Sequence, residues 1–325
     1  MLNKTAKKIS SYLIKIAVLV LAFVFVYRQY LEKGDKLKNF ISLINHIDHR
    51  QVIITLSAIV LLMVVNWVLE SFKWQYLTRD IQPMSAWQAI EAVFCGLTWA
   101  IFTPNRLGEY AGRVLFLPNR KRIFGVFAMA VGAYGQNVIT NVLGLISVVW
   151  FINTFLHLEP LIYWGIILGA AAFTIFIIIV YFHIVWVTDI LDKLPYIKKY
   201  HRFFDIMARY KKSELIKTMF FCLARYSVFS FQYYLIFHLL IPDLPAVQMM
   251  LMVFIMLFVQ SALPSLDLFE VFVRNGTAIY LFHFITDQKI AVGAAVTSIW
   301  LINLIIPAIL GSVFVFNLKF FDRTT

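Results

Sequence analysis

Long apolar runs, separated by short polar and basic stretches, recur along the whole chain. The clearest run, residues 161–185, contains no formally charged side chain. A helix needs about 20 mostly apolar residues to cross roughly 30 Å of bilayer hydrocarbon. Runs that reach or approach this length are predicted as helices over residues 12–27, 52–72, 87–103, 124–151, 161–185, 215–240, 247–263 and 290–316.

Mixed stretches directly follow the runs 87–103 and 247–263, and each begins with a proline, Pro104 or Pro264. Proline lacks a backbone N–H donor and restricts the residue before it, so each proline is predicted to end a half-helix. Non-helical backbone at membrane depth is tolerated only where it is buried in protein or lines a wet cavity. The pattern therefore predicts two re-entrant helical hairpins, residues 87–118 and 247–284.

Composition places the whole chain in a membrane. It is 61% hydrophobic and only 14% charged, with a mean hydropathy of +0.80. A water-soluble fold of 325 residues could not bury that much apolar surface. The first run, 12–27, follows three lysines in the manner of a signal peptide, but no small-residue cleavage site follows it. It is predicted to remain as an uncleaved first helix.

The distribution of basic residues orients the helices. The formal net charge is +12, which in a soluble protein would suggest nucleic acid, but here lysine and arginine lie mostly in loops. Such loops face the cytoplasm. The cytoplasmic positions are then Lys73 with Arg79, residues 120–122, residues 193–217 and both termini. With these assignments, residues 87–118 must enter and leave on the cytoplasmic side, as a hairpin. Residues 28–50 are also basic but fall outside, against this rule.

This orientation predicts an all-α polytopic protein of the plasma (cytoplasmic) membrane. It has a single membrane domain over residues 1–325, with both termini cytoplasmic. Six full transmembrane helices accompany the two hairpins, which together account for the eight apolar runs.

An internal repeat relates the hairpins. The residues Val-Phe, Leu and Pro recur at the same spacing in 93–104 and 253–264. A glutamate follows each proline, and an arginine comes four residues after that glutamate. The pattern predicts a first repeat over residues 12–151 and a second, oppositely oriented, over residues 161–316. Transporters with such inverted repeats bind their substrate near the midplane.

The glutamate–arginine pairs are Glu109 with Arg113 and Glu270 with Arg274. Residues spaced i, i+4 share a helix face, so each pair can form an ion pair. Two interpretations stay open, and both can hold together. The pairs could be structural ion pairs that stabilise each hairpin. Alternatively, the arginines could bind an anionic group such as a lipid phosphate. Arginine suits phosphate because its planar guanidinium binds two oxygens at once.

Three further ionisable residues at membrane depth are candidate substrate-binding residues: Arg106, Arg225 and Asp267. Arg106 follows Pro104 and could instead extend to the interface. Arg225 interrupts the run 215–240 and is predicted to face the bundle interior. Its expected partners are Glu109, Asp267 or Glu270. Other polar residues in apolar runs are predicted to hydrogen-bond between helices; they include Asn66, Glu70, Gln136 and Asn303.

Sequence motifs of catalysis and cofactor binding are absent. The chain has no Walker-type phosphate loop, no G-x-G-x-x-G and no G-x-S-x-G motif. Its two cysteines, Cys95 and Cys222, lie in apolar runs at a spacing that fits neither a disulfide framework nor a metal site. We therefore expect no metal and no cofactor, and the absence of these motifs favours a transporter over an enzyme without deciding between them.

Residues 103–113, T-P-N-R-L-G-E-Y-A-G-R, resemble the P-x-R-x-G-E signature of the lysylphosphatidylglycerol synthase transmembrane region family, also called flippase-like domain proteins. Residues 264–270 are similar to that family's second proline-then-glutamate segment, and residues 294–311 to its last helix. The resemblance covers roughly residues 12–316. Glu109 and Arg113 match the signature directly, and Glu270 matches by position. The glycines usual before the second glutamate are replaced here by residues 266–269, L-D-L-F.

The resemblance implies a function. The family's best-known members carry a soluble aminoacyltransferase domain after the membrane part and flip the modified lipid between leaflets. The sequence ends at Thr325 without such a domain, so only translocation carries over. We expect a flippase-like transporter of an anionic phospholipid or lipid-linked precursor. Its expected partners are membrane lipids with anionic headgroups and not nucleic acid.

Two alternatives remain open. One is a membrane-embedded lipid-modifying transferase, for which Asp267 and Glu109 are the candidate acid and base. The other is a non-transporting partner of another membrane protein.

Overall fold

The computed structural model describes residues 47–101, 103, 107–193, 207–262 and 267–315 of the chain. Within these ranges the secondary structure is helical, without strands. The side chains of residues 187, 191–193, 267–272 and 315 are not described. The predicted first helix, 12–27, lies outside the described ranges, as do Pro104, Arg106 and Pro264.

Helices coincide with every predicted run from residue 52 onward. In chain order the elements are α1 His49–Thr78, α2 Ala86–Ala100, α3 Leu107–Val114, α4 Arg122–Phe151, α5 Pro160–Phe182, α6 Ile184–Lys193, α7 Lys212–Leu240, α8 Ala246–Ala262, α9 Asp267–Phe282, α10 Lys289–Trp300 and α11 Ile306–Val315. The π-helical turn Leu301–Ile305 joins α10 to α11, so the predicted last helix is one continuous but irregular element.

Four helical stretches of the described chain are long and apolar enough to cross a membrane: His49–Thr78, Asn119–Leu156, Pro160–Phe182 and Lys289–Phe314. The apolar window of Pro160–Phe182 is only 11% buried within the protein, so this helix exposes apolar side chains on nearly all sides. Such a surface is stable in lipid and unfavourable in water. The protein is therefore membrane-embedded. Helix α7 has 29 residues but also carries four charged ones.

Local sequence explains where several helices begin. Ser85 precedes α2, and its hydroxyl accepts from the Gln88 backbone N–H at 3.2 Å, while the Gln88 side chain accepts from the Ser85 N–H at 2.9 Å. This capping box satisfies N–H groups that the first turn leaves without helical partners. Pro160 occupies the first turn of α5, where its missing N–H removes no helical hydrogen bond.

Helices α2 and α3 form a tight antiparallel hairpin. Gly96 of α2 lies against Gly112 of α3, whereas Gly108 at the start of α3 lies against Trp99 near the end of α2. A Cβ atom added to Gly112 would stand 2.6 Å from the Gly96 Cα atom. The absence of side chains at both positions thus allows the two backbones to touch, which places Arg113 against the bundle interior.

The second hairpin and the last helix complete the bundle. Helices α8 and α9 pack against each other, and α9 also packs on α10. Helix α11 packs on α2, where the Thr98 hydroxyl donates to the Ala308 carbonyl at 2.9 Å. The two halves of the chain are thereby joined at the first hairpin.

We expect the Gly112→Ala substitution to destabilise the protein by about 1–3 kcal/mol, the usual range for overpacking. The added methyl group would meet backbone atoms of Gly96, which cannot rotate away as a side-chain end does. The measurement is thermal unfolding of the purified protein in detergent. Gly169→Ala is the matched control, because a Cβ atom there meets nothing within 4 Å. Equal melting temperatures for the two variants would contradict the close hairpin contact.

The prediction that Lys73 belongs to a cytoplasmic loop is wrong. Helix α1 continues to Thr78, and Lys73 is only 4% exposed within it. Its ammonium group binds the Glu70 carboxylate one turn earlier, at 2.7 Å, and this partner allows the lysine to be buried. The basic residue that directly follows the end of α1 is Arg79, which binds Glu214.

The end of α1 is attached to the segment that precedes α7. The Tyr210 hydroxyl donates to the Leu77 carbonyl at 2.6 Å. Burial raises the pKa of the Tyr210 phenol above its ordinary value, so the hydroxyl keeps the proton that it donates. These contacts fix the relation between α1 and α7, the two helices that supply the central charges described next.

Candidate functional site

A cavity of about 410 Å³ lies among α1, α3, α4, α7, α8, α9, α10 and the turn Leu301–Ile305. Both hairpins contribute to its lining, the first through α3 and the second through α8 and α9. Ser261, at the end of α8, lines the cavity and is exposed, so it marks an opening. The volume lies within the usual range of small-molecule sites, about 300–1,000 Å³.

Glu70 of α1 lies at the centre of the charged side of this cavity and is only 5% exposed. Its Oε1 atom accepts from the Arg113 Nη1 atom at 2.5 Å. Its Oε2 atom accepts from Lys73 Nζ at 2.7 Å and also from Arg225 Nη1. A single carboxylate therefore binds three cations from three helices. Among the described residues it is the counter-charge of Lys73 and Arg225, and it is one of two counter-charges of Arg113.

Arg113 binds two carboxylates and is 2% exposed. Its Nη2 atom donates to Glu109, four residues earlier on α3, and its Nη1 atom donates to Glu70 of α1. The ion pair that the i, i+4 spacing predicts is present in the structure. The second carboxylate connects this pair to a neighbouring helix.

Arg225 of α7 has a different partner from those predicted. Its Nη1 atom binds Glu70 rather than Glu109, and the side chains of Asp267 and Glu270 are not described. Its Nε atom donates to Asn66 Oδ1 at 3.1 Å, and its guanidinium lies 5.3 Å from the centre of the Trp67 ring. Helices α1 and α7 pack against each other, which brings Glu70 within reach of Arg225.

The predicted site residues fall into two groups. Those that line the cavity are Glu109, Arg113, Arg225 and Arg274. Arg106 lies outside the described residues; Asp267 and Glu270 lie in α9, but their side chains are not described. Sequence reasoning missed the central role of Glu70 and Lys73. The spacing of Asn66, Glu70 and Lys73, four and then three residues, was the available signal, since it places all three on one face of α1.

Basic side chains outnumber acidic ones around the cavity. Among its described lining residues four are basic, namely Lys73, Arg113, Arg225 and Arg274, and two are acidic, namely Glu70 and Glu109. Charges are screened weakly away from water, so the described lining side chains together contribute more positive than negative charge to the cavity. The described lining therefore favours an anionic ligand.

Neutral polar groups complete the lining. Gln136 lies on α4, Gln260 on α8 and Asn303 in the turn that precedes α11. The Asn303 Nδ2 atom donates to Gln232 at 2.6 Å and to the Ile299 carbonyl at 3.1 Å. Within the part of the chain that the structure describes, no three or more His, Cys, Asp or Glu side chains form a group that could hold a metal ion.

We expect the Asn66→Leu substitution to lower the free energy of unfolding by about 1–3 kcal/mol, the usual effect of leaving a buried donor without its acceptor. The donor is the Nε–H group of Arg225, which Asn66 Oδ1 accepts at 3.1 Å. Thermal unfolding in detergent measures the change. Asn137→Leu, at an exposed position of α4, is the control and should have little effect. Equal changes in the free energy of unfolding for the two variants would contradict a stabilising hydrogen bond between Asn66 and Arg225.

Comparison of the chain with protein-family models and with curated proteins gives no match.

Proposed function

We propose that the protein is a flippase-like membrane transporter that moves an anionic phospholipid or lipid-linked precursor between the two leaflets. The observation that carries this proposal is the cavity, which combines the buried Arg113 and the partly buried Arg225 and Arg274 with polar groups inside a bundle of apolar helices. Ionisable residues at membrane depth are unfavourable and usually mark a substrate or ion pathway.

The charged side of the cavity suits a phosphate. Arg113, Arg225 and Arg274 present guanidinium groups to it, and each such group can bind two phosphate oxygens. Glu70 and Glu109 orient Arg113. A phosphate that enters would compete with these carboxylates for the arginines. This exchange of one anion for another keeps binding reversible, which a transporter requires.

The size of the cavity suits a headgroup. At about 410 Å³ it accommodates a phosphate with a small polar group. The acyl chains would remain in the surrounding lipid, and the headgroup would cross the bilayer inside the protein. The exposed position of Ser261 gives the headgroup an entrance beside α8.

The proposed mechanism is alternating access between two repeats, residues 12–151 and 161–316. Each repeat contributes one hairpin, 87–118 or 247–284, and both hairpins line the cavity through described residues. Re-entry of the hairpins from opposite sides, six full transmembrane helices and cytoplasmic termini in the plasma membrane belong to this proposal. So does membership of the flippase-like family, which rests on the resemblance of residues 103–113 to its signature.

The test is leaflet exchange in liposomes that contain the purified protein and a panel of labelled lipids. We expect exchange of anionic lipids to be faster than in protein-free liposomes of the same composition. Absence of protein-dependent exchange for every lipid of the panel would contradict the proposal. Conversion of a labelled lipid to a new headgroup would instead support a lipid-modifying transferase.

A further inference from the structure

The outer surface where the end of α1 meets the first turns of α7 carries basic and aromatic side chains. This α1–α7 seam consists of Phe72, Tyr76 and Arg79 on one side and Lys217, Phe220 and Phe221 on the other. Phe72, Tyr76 and Arg79 are spaced by four and then three residues, so they share one face of α1. The Tyr76 and Phe221 rings, 6.3 Å apart between centroids, join the two helices there. None of these residues lines the central cavity.

Two cations lie close to the same aromatic ring in this seam. The central carbon of the Arg79 guanidinium is 4.2 Å from the centre of the Tyr76 ring, and the Lys217 ammonium nitrogen is 6.0 Å from it. The Arg79 side chain is partly exposed, and Lys217 is exposed. A cation against an aromatic ring is oriented by that ring and still has N–H groups that can donate to an anion. The two side chains thus present positive charge at the surface of the bundle.

The carboxylates near these cations do not neutralise both of them. Glu214 binds Arg79 through Oε1, while its Oε2 atom accepts from the Lys211 backbone N–H at 2.8 Å. Asp80 Oδ1 is 3.7 Å from Arg79 Nε, but the Asp80 side chain is 74% exposed, where water weakens the attraction. Among the described residues no carboxylate forms an ion pair with Lys217. An anion bound at the seam would supply its counter-charge.

Positive charge predominates in the chain that leads into α7. Residues 184–217, counted in full from the sequence, contain eight basic and four acidic side chains. Arg79 and Asp80 at the end of α1 add one of each sign. The surplus therefore persists when the residues outside the described ranges are included. Such a surplus attracts anionic lipid headgroups, with an effect of about fivefold in affinity for each basic residue close to the membrane surface.

Apolar side chains continue the seam away from its charged end. Phe72 is exposed one turn before Tyr76 on α1, and Phe220 is 69% exposed one turn after Lys217 on α7. Leu223 extends this exposed apolar surface further along α7. A phospholipid joins one polar headgroup to apolar chains, so its two parts match the charged end and the apolar surface in the order in which they occur. A soluble anion would contact the charged end alone.

We propose that the α1–α7 seam binds one anionic phospholipid of the adjacent leaflet, whose phosphate accepts from Arg79 and Lys217 and whose acyl chains lie along Phe72 and Phe220. Basic residues between transmembrane helices bind anionic headgroups in this manner. The lipid contacts both α1 and α7, the helices that Glu70 and Arg225 connect, and therefore stabilises their packing. It stays on the outside of the bundle, so this site does not depend on transport through the central cavity.

Photoreactive lipids that carry the reactive group near the headgroup locate the site. Wild-type protein in lipid nanodiscs is labelled with a phosphatidylglycerol probe or with a phosphatidylcholine probe of the same design, and the labelled peptides are identified by mass spectrometry. We expect at least about fivefold more labelling of residues 72–79 and 213–221 by the phosphatidylglycerol probe. Lys217→Gln should remove most of this preference. Arg120→Gln is the matched control and should keep it, because Arg120 is exposed in the helical turn before α4, outside the seam.

Equal labelling of the seam by the two probes would overturn the inference. Equal losses in Lys217→Gln and Arg120→Gln would also overturn it, since they would indicate a general attraction of anionic lipid to a basic surface. An excess of glycerol phosphate should not displace the phosphatidylglycerol probe. Displacement would identify a soluble phosphate as the ligand and would contradict a lipid site.

Melting temperatures provide a second measurement in case a variant is itself less stable. Each protein is compared with itself in micelles that contain phosphatidylglycerol or phosphatidylcholine, so a folding defect of the variant cancels. We expect phosphatidylglycerol to raise the melting temperature of the wild type and of Arg120→Gln, and to have a much smaller effect on Lys217→Gln. An equal rise in all three proteins would contradict a lipid that joins α1 and α7 through Lys217.

Discussion

Replacing Glu70 by glutamine is expected to destabilise the protein by about 3–5 kcal/mol, the range for removing one partner of a buried ion pair. The carboxylate is the common partner of Lys73, Arg113 and Arg225. Glutamine keeps the shape of the side chain but removes its charge, so three cations would repel one another in a poorly screened environment. Thermal unfolding of the purified protein in detergent, with chemical unfolding to obtain the free energy, measures the effect.

A second substitution separates charge from packing. Lys73→Met, added to Glu70→Gln, removes one of the excess cations and should recover a substantial part of the lost stability. Asp243→Asn is the control for loss of a carboxylate, because Asp243 is exposed in the loop before α8. If Glu70→Gln changes the free energy of unfolding as little as Asp243→Asn, Glu70 does not stabilise the three cations. The same conclusion follows if Lys73→Met only lowers the stability of Glu70→Gln further.

The arginines of the cavity should control transport. We expect Arg225→Gln and Arg274→Gln each to slow leaflet exchange of anionic lipids by at least about tenfold, because a hydrogen bond to a charged group contributes about 1.5–3 kcal/mol. Arg225→Lys keeps the charge but loses the planar fork and the bond to Asn66, so it should recover exchange only in part. The measurement is exchange of labelled lipid in liposomes.

Arg209→Gln is the matched control for these variants. Arg209 is exposed and lies outside the cavity lining, so its loss should leave exchange unchanged. Melting temperatures of all variants distinguish a binding defect from a folding defect. Wild-type exchange rates in a folded Arg225→Gln or Arg274→Gln protein would argue that these arginines only stabilise the bundle.

The helices could be predicted from the sequence because their signal is local. Residues 247–263 were predicted to be helical, and the structure forms Ala246–Ala262. The spacing of Glu109 and Arg113 likewise predicted an ion pair that the structure forms. In both cases the information lies within a few turns of one chain segment, where helical periodicity alone determines which residues are neighbours.

The centre of the site could not be predicted in the same way. Glu70 and Arg225 are far apart in sequence, and their contact depends on how α1 and α7 align when they pack. Lys73 looked like a loop residue because the apolar run ended just before it, although the helix continues for another turn. Positive charge near the end of a run indicates topology only when it is solvent-exposed, and Glu70 keeps Lys73 buried.

Blocking the cavity tests whether the headgroup crosses the membrane through it. Cys95 and Cys222 are buried and can be replaced by alanine, which leaves a background for a single cysteine at the exposed lining position Ser261. Leaflet exchange is then measured in liposomes before and after this cysteine reacts with a bulky maleimide. We expect the reaction to stop protein-dependent exchange, whereas the same label on a cysteine at Ser213, which is exposed at the polar start of α7 and lies outside the cavity lining, should leave exchange unchanged. Undiminished exchange in the fully labelled Ser261→Cys protein would show that the headgroup does not pass through this cavity.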